Sequence, residues 1–159
     1  MTHLFVPYQQ SLDMKELGFD KPCFTTFDDK GDLRNPFDYS NSEPDSKYIV
    51  DSKHFVYNSK LTIDNFNGPK NLYTQFIAAP TFSQAFKFFR EKYNLLGNVY
   101  SNACGWLWEI HDNIGGTHRF GSDLSGDCEN SGMFTSFEKA ELSCIIKLIE
   151  LVKSGSLKA

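Results

Sequence analysis

The sequence predicts an α+β fold: a small, mostly antiparallel sheet with two long helices, at about 82–94 and 136–154, packed on one face, and a short N-terminal helix. Three observations predict it. Two runs place apolar residues at the helical period of 3.6. Two runs between them alternate at the strand period of 2. The first half offers only short strand-like stretches separated by turn residues. A single domain over 1–159 is expected, with loop-rich segments at about 28–46 and 112–133.

Composition supports an ordered core. Of the 159 residues, 40% are hydrophobic and 15% aromatic, too many for a disordered chain. The net charge of −4 gives no global attraction to nucleic acid or to an anionic membrane. No apolar run approaches the roughly 20 residues that span a bilayer. The start, MTHLFVPYQQ, lacks the basic and apolar regions of a secretory signal. The four cysteines, Cys23, Cys104, Cys128 and Cys144, are widely spaced and form no CxxC, so free thiols and a cytoplasmic location are expected.

The elements follow in order. Pro7 suits the first turn of a short helix, and Gly18 its left-handed stop, with Phe19 folding back toward Met14. Cys23 to Phe27 reads as a strand, followed by a hairpin turn at Asp28-Asp29-Lys30-Gly31. From Asp28 to Ser46 the composition is that of a loop. Strand-like runs follow at Tyr48–Val50 and His54–Tyr57, a turn at Asn67-Gly68-Pro69, and a strand over Leu72–Ala78 that Pro80 ends.

Two helix openings are matched. Thr81 precedes Gln84 by three residues, and Thr135 precedes Glu138 by three, the capping-box spacing with Thr at the N-cap. In the first helix Phe82, Ala85, Phe86, Phe89 and Tyr93 share one face, while Lys87, Arg90, Glu91 and Asn94 take the other. Phe88 falls off that stripe and reads as a solvent-facing aromatic. In the last helix Phe137, Ala140, Cys144, Leu148 and Leu151 form a stripe, widened by Ile145, Ile149 and Val152. Between the helices, Asn98–Ala103 and Trp106–His111 read as a hairpin. Trp106, Trp108 and Ile110 alternate toward the helices, and Leu107, Glu109 and His111 away from them. Asp112 to Met133 shows no period; at roughly 20 residues it exceeds ordinary loop lengths, so it is functional, disordered, or holds a short hairpin.

Several motifs bear on chemistry. Gly116 to Gly121 has the GxxxxG spacing of a phosphate-binding loop, but the Lys is absent and no helix follows. A weaker anion-binding concavity remains, from the backbone of Gly115 and Gly116 with His118 and Arg119. Glu109 and His111 lie two apart on one strand face, a carboxylate beside an imidazole, the pairing that acid–base chemistry uses. Cys104, His111, His118 and Cys128 match no paired zinc-ligand spacing, and no metal or cofactor is expected. Lys87, Arg90 and Lys92 with Tyr100 and the two Trp residues could suggest a single-strand nucleic-acid platform, but the Trp residues read as core. No GxSxG, HExxH or calcium-loop motif occurs, so no catalytic residue is assigned.

Three segments carry a resemblance: FVPYQQSLDMKELGFDKPCF from Phe5 to Phe24, APTFSQAFKFFREKYNL from Ala79 to Leu95, and FTSFEKAELSCIIKLIEL from Phe134 to Leu151. Together they resemble a family of small, uncharacterised proteins encoded by tailed bacteriophages and prophages, especially of Bacteroidota. Phe88 stands where that family usually has Trp. The resemblance implies a phage origin and brings no assigned activity.

The expected function is therefore a phage-encoded, non-enzymatic accessory protein that binds a host or viral macromolecule, with a protein as partner and neither nucleic acid nor membrane. Two alternatives stand beside it. One is binding of a small phosphorylated ligand or nucleotide by the Gly115–Gly126 loop. The other is an enzyme using Glu109 and His111.

Overall fold

A computed structural model describes residues 4–28, 30–34, 77–112, 118–121 and 133–155, with backbone alone at 34, 112 and 118–121. The runs expected at Tyr48–Val50 and His54–Tyr57, the turn at Asn67–Pro69 and the first part of the Leu72–Ala78 strand lie outside these residues. The described chain is α+β: three helices pack against two small antiparallel sheets. It divides into two compact units, residues 1–81 and 82–159.

The first unit begins with helix α1, Tyr8–Glu16. Pro7 stands at its N-cap, with φ −59° and ψ 159°, one position earlier than the spacing suggests. At the other end Gly18 takes φ +84°. Its N–H bonds Lys15 O at 2.9 Å, and the Phe19 N–H bonds Met14 O at 2.8 Å, the paired bonds of a Schellman stop. Phe19 and Met14 are both fully buried, as the expected fold-back requires.

Strand β1 (Thr26–Phe27) is central, flanked by β2 (Leu33–Arg34) and β3 (Ile77–Ala78), both antiparallel to it. The turn between β1 and β2 is built by Asp28, whose Oδ1 accepts from the N–H groups of Lys30 and Asp32, each at 2.9 Å. Gly31 supplies the positive φ of +81°. The segment from Asp28 to Ser46 is thus not loop throughout: Leu33 and Arg34 return as a strand, pairing with Phe27 and Thr26. Phe27, Ile77 and Ala79 form the core, with Phe5, Tyr8, Leu12 and Leu33 packed on it. Tyr8 meets Phe27 edge-on, ring centres 5.7 Å apart. The chain entry is tied in by Val6 N–H to Pro80 O at 2.9 Å and by the Phe5–Thr81 bridge.

In the second unit, α2 (Phe82–Tyr93) leads through Asn94, at φ +55°, into β4 (Leu95–Asn102). Strand β5 (Gly105–Asp112) returns beside it, from Asn102 opposite Gly105 to Leu95 opposite Asp112. Asn102 Oδ1 secures the turn, accepting from Cys104 N–H at 2.8 Å and Gly105 N–H at 3.1 Å. Strand β6 (His118–Gly121) adds to the other side of β5, so the Asp112–Met133 stretch holds a strand. Helix α3 (Phe137–Lys153) closes the unit.

Both long helices cover one face of this sheet, as expected. Trp106 meets Phe137 at 5.1 Å between ring centres, and a Cβ on Gly97 would face both Phe86 and Cys144. The buried residues of α2 are Phe82, Ala85, Phe88 and Phe89. Phe88 is thus not a solvent-facing aromatic: it is buried edge-on to Phe89 and Tyr93, with the Lys92 ammonium 5.5 Å from its ring centre. The α3 stripe buries Ala140, Cys144, Ile145, Leu148, Ile149 and Leu151, as its period requires. Its N-cap is Ser136 rather than Thr135. The Ser136 hydroxyl accepts from Lys139 N–H at 3.3 Å, while Thr135 Oγ1 takes the Lys139 ammonium at 3.0 Å. Two adjacent hydroxyls compete for one cap, and the extended backbone of Ser136 wins.

Candidate functional site

The residues suspected of chemistry gather on β5 and β6. Alternation along β5 sends Trp106, Trp108 and Ile110 toward the helices and Glu109 and His111 the other way. On that second face Asn98 stands across from Glu109, and Leu96 across from His111. Next-but-one residues on a strand are close enough for long side chains to lean together. His111 Nε2 lies 2.9 Å from Glu109 Oε1, with the two side chains 23% and 30% exposed. This is a hydrogen-bonded carboxylate–imidazole pair in a half-buried setting. Leu107, on the same face, is fully buried, while Asn98 and Tyr100 across from this row are exposed. Chemically the carboxylate fixes the ring's orientation, the arrangement of an oriented acid–base group.

Strand β6 brings the second group of candidates alongside the first. Its register sets His118 opposite His111 and Gly121 opposite Glu109, with a shift between Ile110 and His111. His118 and Arg119 are therefore held in a strand beside the pair, not in a phosphate-binding turn. Gly115 and Gly116 lie outside the described residues, and with them the expected concavity. This juxtaposition escaped the sequence because His118–Gly121 is too short to show a period. The two histidines, seven residues apart with glycines between, were its one available signal.

The cysteines differ from expectation. Cys104 is disulfide-bonded, to a partner outside the described residues, so not all four are free thiols and Cys104 offers no thiolate ligand. Cys23 and Cys144 are free and fully buried. Burial pushes each thiol up to about 12, with Glu141 adding to the effect at Cys144, so neither is a thiolate nucleophile near neutrality. Among the described residues no three His, Cys, Asp or Glu side chains converge as a metal site. The suggested base-stacking platform does not assemble. Trp106 packs on Phe137, Trp108 bonds Ser143, and Lys87 pairs with Glu91 at 3.7 Å. No helix among the described residues is long and apolar enough to cross a membrane.

Compared with known proteins, the chain matches no family model, no curated protein and no solved structure.

Proposed function

We propose that this is a phage-encoded accessory protein that acts by binding a host or viral protein rather than by turnover. The observation that carries this reading is the exposure of Leu4 and Phe24, at 63% and 61%, while the other large apolar side chains described in their unit are buried or half-buried. Exposed aromatic side chains such as Phe24 are enriched in the cores of protein–protein interfaces. The three-segment phage-family resemblance supports the origin. The host cytosol is the proposed compartment, and the Cys104 disulfide weighs against it, since such bonds persist mainly in oxidising surroundings.

Affinity capture from host and infected-cell lysates tests the reading. The wild-type chain should retain a defined protein that a Leu4→Glu/Phe24→Glu variant loses by roughly tenfold or more. Equal recovery by both chains, or none by either, would count against it.

A second reading has its own support. Backbone register pairs His118 with His111, next to the hydrogen-bonded Glu109–His111 pair, and Arg119 follows His118 in the same strand. A small phosphorylated ligand held there, for sequestration or for acid–base chemistry by Glu109 and His111, accounts for that grouping. Thermal shift against a nucleotide panel decides. The reading requires a shift that Arg119→Ala reduces and that His111→Ala alters.

A further inference from the structure

We propose that the outer edge of β4 pairs with β4 of a second copy of this chain, joining two three-stranded sheets into one across a twofold axis at Asn98. The direction of the main-chain groups comes from β5. Trp106 gives its N–H and C=O to Phe134, at 3.0 and 2.9 Å, on the side of β5 away from β4. Its β4 partner Ser101 is therefore in a non-hydrogen-bonded pair. The β4–β5 register runs without a shift, so alternation aims the N–H and C=O groups of Leu95, Gly97, Val99 and Ser101 outward from the sheet. Among the described residues no strand receives them: β4 ends the order β4-β5-β6.

Natural edges of this length are usually blunted by lysine, proline, a bulge or a covering element. β4 reads LLGNVYSN, eight residues without a charge or a proline, and Asn98, Tyr100, Ser101 and Asn102 are exposed. A twofold operation sets a strand against itself, so any charge on it would face its like. This strand has none. Placing Asn98 opposite Asn98 of the second copy puts Gly97 against Val99 and Leu95 against Ser101, and every outward N–H and C=O finds a partner. On the face away from the helices the same register lays Tyr100, 37% exposed, across from Leu96, an aromatic–aliphatic cross-strand pair on each side of the axis. Two Asn98 amides meet at the centre, each with donors and an acceptor to offer the other. A two-start register or a foreign strand would have no reason to match at all of these positions, whereas a closed C2 pair does.

The test is the mass of the full chain in solution, by light scattering across the micromolar range. The wild type should show the doubled mass. Asn98→Lys and Asn98→Glu should each run as monomers, because like charges then face each other on the axis, and their equimolar mixture should regain the doubled mass. Val99→Pro should also be monomeric with unchanged circular dichroism, since the Val99 N–H lies outside the β4–β5 ladder. A wild-type monomer at every concentration overturns the proposal and leaves the edge to a different strand. A dimer that survives both Asn98→Lys and Val99→Pro places the interface elsewhere, and a charge-swapped mixture that stays monomeric refutes the register.

Discussion

The indole N–H of Trp108 donates to the hydroxyl of Ser143 at 3.0 Å, a side-chain bond that fastens β5 to α3. The ring itself is buried, so its N–H has little water to fall back on. Ser143→Ala removes the acceptor and leaves a desolvated donor. Urea denaturation should show a loss of about 1–2 kcal/mol, while Ser143→Thr, which keeps the hydroxyl, should lose less.

At Gly97 side chains from both long helices approach the sheet. A Cβ there would stand 2.8 Å from Phe86 Cε1 and 3.0 Å from Cys144 Sγ. Gly97→Ala must therefore push a ring edge or a helix aside, and thermal unfolding should register a loss of about 1–3 kcal/mol. Phe86→Leu in the same chain should recover part of that loss, because it removes the atom that is struck first.

Thr26 is 1% exposed on the central strand of the first unit, and among the described residues its hydroxyl has no hydrogen-bond partner. A buried, unpaired hydroxyl costs more than the methyl that could replace it. Thr26→Val keeps the shape and should stabilise the protein by about 1 kcal/mol in chemical denaturation. A loss of similar size would mean that the hydroxyl bonds a group beyond the described residues.

Glu141 carries a pH signature. Burial first, and then the carboxylate of Glu138, push its carboxyl above the ordinary 4.5. The folded state therefore prefers the protonated form, so its contribution is favourable below about 4.5 and is lost as pH rises through the elevated folded value. Glu141→Gln should raise the melting temperature at pH 7, by an amount equivalent to roughly 0.5 kcal/mol, and the gain should vanish in acid. An equal gain at both pH values would point to helix propensity instead.

Where a long period existed, the sequence was legible. The α2 and α3 spans fall within a residue or so of their expected limits, and the hairpin faces are those that alternation assigns. The errors arise where two signals conflict at short range. Phe88 sits off the α2 stripe, yet the neighbouring aromatics Phe89 and Tyr93 and the Lys92 stem enclose it. Thr135 and Ser136 are both good caps, and only backbone geometry separates them. Leu33–Arg34 and His118–Gly121 are strands by pairing, not by propensity, so nothing local marks them. At the candidate site the Glu109–His111 pair was readable from its i, i+2 spacing. The approach of His118 depends on a register shift that no local pattern encodes.

The seam that ties Val6 to Pro80 and Thr26 to Ala78 also sets an order of events during synthesis. The second unit is assembled mostly from neighbours in sequence: a helix, a tight hairpin and a closing helix. The first unit depends on partners from opposite ends of its own span, a contact of high sequence separation that is slow to find. A nascent chain released before residue 77 would have its opening helix and β1 but lack β3, with the Phe27 side chain short of the Ile77 that covers it. The N-terminal half of this protein must therefore wait for its own far end, and ribosome-bound intermediates should remain protease-sensitive there until Pro80 has emerged.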